Sequence, residues 1–413
     1  MATRTIANGG GNYNSTGTWV EGAIPTSADD VVATGTSGAL TVTAAAAAKT
    51  LILTGYANTL TINSGFTLTV SGDVTLVSGM TYAGAGTLAV NATATLTANG
   101  KTVSGDLLLN NTVSTITLAD NWIVTGLFHA IAGNSTVTLN SNQVTCNGSV
   151  TVAARLTGTT AILLAGTGTW TGSATSGRYC SNPITINTAG TLTIATDGPC
   201  IGGGTLTYTA GTFAGTGTWL LGASQTISGA LPSIYNLTVF GFGTVLTLDN
   251  PLTVSNILKF AKVAAASSYT ITGANVTAGT LDLYVLSSLI FNSTRTLTVN
   301  TAIYAIGSAQ ENTQTIRAST ASSAFTLTYN GTQANMRLSY VIFTDVTATN
   351  PLWNHWGGTL TRTSGITNTS YTPGDYSDPG EANVATGTSY LYQGATKNGS
   401  YAGGGSTVIV IED

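Results

Sequence analysis

A short phrase returns along this chain: a small or polar residue, then Thr and an aliphatic residue in strict alternation. It reads Thr59-Leu60-Thr61-Ile62, Thr67-Leu68-Thr69-Val70, Thr87-Leu88-Ala89-Val90, Gly190-Thr191-Leu192-Thr193-Ile194, Gly204-Thr205-Leu206-Thr207-Tyr208 and Arg295-Thr296-Leu297-Thr298-Val299. A period of two places the aliphatics on one side of a short strand and Thr on the other. Each phrase therefore buries only half of itself and needs a stacked neighbour. Gly, Asn, Ser and Ala separate the phrases, with no helical periodicity between them. That pattern predicts a solenoid in which each coil covers the open core of the one before.

Composition sharpens this reading. Charged residues make up 7% of the 413 positions and hydrophobic residues 42%, with 50 glycines. Disorder pairs low hydrophobicity with high charge, which is the reverse of what stands here. No apolar run approaches the roughly 18 residues of a membrane helix; the alanine tract Ala44 to Ala48 is too short. The outer surface must then be built from hydroxyls and amides, and Thr suits it because its branched β-carbon favours extended backbone. A formal charge of −4 and 12 scattered Lys and Arg residues offer no basic patch, so nucleic acid is not the expected partner. The start Met1-Ala2-Thr3-Arg4-Thr5 has no apolar segment of the secretory kind. The three cysteines, Cys146, Cys180 and Cys200, have no metal-ligand spacing and read as reduced, buried thiols.

Four regions follow from changes in this grammar. Residues 1–45 form an N-terminal cap or attachment segment, with Trp19 as a plug and Asp29 and Asp30 before the first aliphatic pair. An open solenoid end exposes core and strand edges, so a cap is required. Residues 46–335 form the β-helix body. Residues 336–372 form a closing coil with an aromatic loop, and 373–413 a small C-terminal β module with turns at Gly394 and at Asn398-Gly399. Within the body, Ser71-Gly72-Asp73-Val74 returns as Ser104-Gly105-Asp106-Leu107 and, more loosely, as Ser255-Asn256-Ile257. These read as turns in which Gly or Asn takes a left-handed backbone and Asp bonds its own chain. Gly166-Thr167-Gly168-Thr169-Trp170 likewise returns as Gly215-Thr216-Gly217-Thr218-Trp219.

The chemistry visible in the sequence is sparse. Polysaccharide-cutting enzymes on such scaffolds need two carboxylates in one groove, or a carboxylate with Arg or Lys. Asp73, Asp106 and Asp249 sit in turns, and Asp282, between Leu281 and Leu283, stands outward on a strand with no evident mate. No catalytic, cofactor or metal residue is therefore assigned. The glycine runs lack a following Lys-Ser or Lys-Thr, His129 and His355 cannot form a zinc cluster, and Asp29-Asp30 reads as turn chemistry rather than a calcium site. The candidate binding surface is the aromatic group Trp353, His355, Trp356, Tyr371 and Tyr376: flat rings can stack on sugars or anchor an interface, and the alternative, which the sequence favours, is that the aromatics form the small core of the closing coil and C-terminal module.

The stretch Trp19 to Val32 resembles the opening of phage and bacterial β-helix proteins. The run from Gly211 through Gln225-Thr226-Ile227-Ser228-Gly229 to Tyr235-Asn236-Leu237-Thr238-Val239 resembles the repeat of adhesin-like and phage-encoded β-helix proteins, and Pro379 to Gly403 resembles a small module near the ends of phage virion proteins. The resemblance implies an all-β, single-stranded parallel β-helix, right-handed, serving as a phage virion structural protein of tail-spike, fibre or capsid-decoration type. It also implies a homotrimer made in the host cytoplasm and displayed on the virion, with other virion proteins and a host-surface glycan as partners and without membrane insertion. A depolymerising tailspike enzyme and a bacterial adhesin are the alternatives.

Overall fold

A computed structural model describes residues 2–110, 115–172, 180–261, 267–284, 287–306, 314–332, 335–339, 341–349, 353–355, 359–368, 389–392 and 395–398. The fold is all-β, a parallel β-solenoid of about 14 turns. A 3-10 turn lies at Thr16–Thr18, and among the described residues no helix is long and apolar enough to cross a membrane. The chain divides into two compact units, residues 1–235 and 236–413.

In the first unit each early coil contributes three short strands. Thr50–Ile52, Thr59–Ile62 and Thr67–Val70 form one coil, and Val74–Thr75, Thr81–Ala83 and Thr87–Val90 form the next, each strand pairing in parallel with its counterpart. The alternation of the sequence becomes rows running across the coils. Leu68, Leu88, Leu107, Phe128, Val150 and Trp170 stand in register along one inward row, and all six are buried. At about 25 cal/mol per Å² of apolar surface removed from water, such rows drive the winding. The matching outward row carries Thr69, Ala89, Leu108, His129, Thr151 and Thr171. Parallel pairing already begins inside the region read as a cap, with Thr3–Thr5 against Asp30–Val32 and Gly11–Asn12 against Leu40–Val42.

The Ser-Gly-Asp turns hold for a reason different from the expected one. Gly72 and Gly105 are not among the glycines with positive φ. What Gly105 requires is room: a Cβ there would overlap the carbonyl oxygen of Gly86. The same crowding continues through Gly126, Gly148 and Gly168, each lying against the glycine of the preceding coil. Glycine is needed where neighbouring backbones approach this closely.

In the second unit the strands are longer. Leu252–Phe260, Val276–Leu283 and Thr296–Ile306 pair in parallel, with register shifts between Val254 and Ile257 and between Ala278 and Thr280 that let one strand turn a corner. A second ladder runs through Thr244–Leu248, Ser268–Thr272, Ser288–Phe291, Gln314–Ala318, Val341–Thr344 and Thr359–Thr361. Further along, Ser389–Tyr392 and Ala395–Asn398 pair in antiparallel register; Gly394 and Gly399, at the two expected turns, lie outside the described residues. The terminal Thr407-Val408-Ile409-Val410-Ile411 segment lies outside the described residues.

Candidate functional site

The N-terminal residues singled out from the sequence form a tight hydrogen-bonded group. Trp19 is buried, its ring edge-on to Tyr13 with centroids 5.0 Å apart, and its Nε1 donates to the Tyr13 carbonyl at 2.8 Å. The Tyr13 hydroxyl donates to the carbonyl of Ala47 at 2.6 Å, and burial raises its pKa, with the charge of Asp29 adding to the rise. The Asp29 carboxylate accepts from the Ala2 and Thr26 amides, each at 3.0 Å, and from the Thr26 hydroxyl at 2.9 Å. The Thr26 hydrogen bonds, more than the Arg4 guanidinium 3.8 Å away, hold Asp29 below the usual carboxylate range. Asp30 accepts from Thr50 Oγ1 at 2.8 Å and lies 3.8 Å from Lys49 Nζ. Both carboxylates thus engage their own chain.

Two of the four body carboxylates considered for catalysis do the same work. Asp73 accepts from the Thr95 amide and Asp106 from the Leu127 amide, each at 2.7 Å. Each side chain reaches one coil onward and satisfies a backbone donor that the turn leaves without a ladder partner. Asp249 is exposed in a bend after Leu248. Asp345, buried and with a φ of +55°, accepts two hydrogen bonds from Arg362 at 2.5 and 2.8 Å. Those bonds hold its carboxyl below the usual range. His129, half-buried between Leu108 and Thr151, has its pKa lowered by burial, against an opposing pull from Asp106.

The cysteines are free and buried. Burial pushes the Cys180 thiol up to about 12 and Cys200 to about 11, and raises Cys146 further, so all three are protonated and poor nucleophiles near neutral pH. Among the described residues, no three His, Cys, Asp or Glu side chains gather to hold a metal ion.

Of the aromatic group proposed as a binding surface, Trp353 and His355 lie on the strand Trp353–His355, which pairs in parallel with Ile366–Asn368, Trp353 opposite Ile366 and His355 opposite Asn368. Trp356, Tyr371 and Tyr376 lie outside the described residues.

A different cluster emerges on the outer face of the second unit. Asp282, which has no evident mate in the sequence, is in register with Lys259 on one side and Tyr304 on the other. Tyr304 is in register with Arg337. Lys259 Nζ lies 3.0 Å from Asp282 Oδ2, and the Arg337 guanidinium sits over the Tyr304 ring, 5.5 Å from its centroid. The inward neighbours Leu258, Phe260, Leu281, Leu283, Ile303 and Ala305 are all buried. This row of three charges and one ring has the polar donors, acceptors and flat surface of a recognition site. In comparison with known proteins, the chain matches no family model, no curated protein and no solved structure.

Proposed function

We propose that the chain is a phage virion structural protein, a stiff component displayed on the particle as a spike, fibre or capsid decoration, assembling with other virion proteins and with copies of itself as a homotrimer. The observation that carries this reading is the in-register inward row from Leu68 to Trp170. Coils that shield one another give a unit whose stiffness comes from its backbone ladders, and whose outer surface is left to hydroxyls and a few chosen side chains. Asp29, Asp73 and Asp106 serve backbone donors, which fits a mechanical part. The resemblance of its turn and strand grammar to phage-encoded β-helix proteins supports the same reading.

Immunogold labelling of a lysing culture that makes the protein tests it. Gold on virus particles is the expected result; gold confined to the cell envelope would instead favour an adhesin. The Lys259–Asp282 pair gives a depolymerising enzyme its one specific support, since a carboxylate with Lys is a competent acid-base couple. New reducing ends released from capsular polysaccharide by the purified chain would establish that alternative.

A further inference from the structure

The row Lys259, Asp282, Tyr304 and Arg337 stands apart from the chain that carries it. With 12 Lys and Arg among 413 residues and 7% charged overall, three charged side chains nonetheless fall in one register across adjacent strands. Tyr284, two residues beyond Asp282 and 46% exposed, adds a second ring beside the row. We propose that this row binds a carboxylate-bearing polysaccharide laid along the direction in which the coils stack. The proposal goes beyond display on a virion and does not depend on it.

The chemistry runs as follows. Neighbouring strands are about 4.8 Å apart, close to the length of one pyranose ring in an extended chain, so successive side chains of the row meet successive sugars. Arg337 is exposed and lies over the Tyr304 ring. A guanidinium held against a ring still presents a planar fork that matches a carboxylate. Lys259, at the other end of the row, supplies a second cation. Asp282, already anchored by Lys259, offers oxygens that accept from sugar hydroxyls, and the exposed Tyr284 ring can stack on a pyranose face. A protein partner would need an apolar centre to its interface, and the row is polar from end to end.

Isothermal titration of the full chain with size-defined oligogalacturonate and oligomannuronate, against a neutral glucan oligomer of equal length, tests the proposal. At least one acidic oligomer should bind, more weakly as salt rises, while the neutral one does not. Arg337→Gln and Lys259→Gln should each weaken binding by about tenfold, the loss expected for one charge-assisted contact. Arg317→Gln, whose side chain belongs to the row between Ile290 and Thr344, should leave binding unchanged. Circular dichroism confirms folding of each variant; if Arg337→Gln fails to fold, Lys259→Gln reads the same row from its other end. Failure of both acidic oligomers to bind, equal binding of the neutral oligomer, or binding that survives substitution in the row would overturn it.

Discussion

The row through Leu107 and Phe128 in the first unit and the row through Lys259 and Asp282 in the second are built by the same parallel register but face opposite ways. The first is inward, with Leu68, Leu88, Leu107 and Phe128 all fully buried, and it is supported at a corner by glycines packed coil on coil. The second is outward, with Lys259 and Asp282 partly exposed and joined by an ion pair. A register that stacks like on like inside produces contiguous polar rows outside at no extra cost in fold. Stability should therefore reside in the inward rows and the crowded corners, and recognition in the outward ones.

Substitutions can break that division. Phe128→Ala should destabilise the first unit by about 3–5 kcal/mol, read as a lower urea midpoint, and a change below 1 kcal/mol would mean that the row is not a packed core. Next in size is Gly105→Ala, where the added methyl must displace the Gly86 carbonyl; overpacking of this kind costs about 1–3 kcal/mol. Gly17→Ala is its control, because nothing lies within 4 Å of a Cβ there and its φ is not positive.

Acid should act through Asp29 and Asp345, whose folded pKa values are depressed by hydrogen bonds from Thr26 and Arg362 respectively. A depressed carboxylate contributes stability that is present above its unfolded value, about 3.9, and is lost as pH falls through the folded one. The melting temperature should thus fall below about pH 4, and Asp345→Asn should flatten that fall while lowering the melting temperature at neutral pH. A melting temperature that is level from pH 7 to pH 2 would contradict it. Smallest of all, Lys259→Gln should change stability by less than about 1 kcal/mol, as expected for an ion pair open to solvent. A larger loss would erase the contrast between the two rows.

The inward rows are legible in the sequence because alternation fixes the side of each residue without knowledge of its neighbours. Thr59–Ile62, Thr67–Val70 and Thr87–Val90 are strands with the expected buried Leu, Ile and Val, and the two Gly-Thr-Gly-Thr-Trp phrases put Trp170 and Trp219 in edge contact at 5.6 Å. The outward row is not legible, because which residues become lateral neighbours depends on coil length, and that varies. Hydrogen bonds between coils join residues 20 apart at Thr50 and Asp30 but 31 apart at Gln314 and Leu283. Lys259 and Asp282 are strangers in sequence for that reason. The glycine corner was similarly hidden: Gly105 reads as a left-handed turn, and only the stacking of coils reveals that it is a close approach of backbones.

The most direct test of the account is cross-linking of lateral neighbours. Thr191 and Thr212 face each other in parallel register with their hydroxyl oxygens 2.8 Å apart, and strands this close bring Cα atoms within the range a disulfide spans. Under mild oxidation, the Thr191→Cys/Thr212→Cys variant should form an intrachain disulfide, located by peptide mass spectrometry, with its circular dichroism unchanged. The Thr191→Cys/Thr205→Cys variant, in which Thr205 instead pairs with Thr226, should not. Cross-linking in the second variant and none in the first would contradict the stacked parallel register.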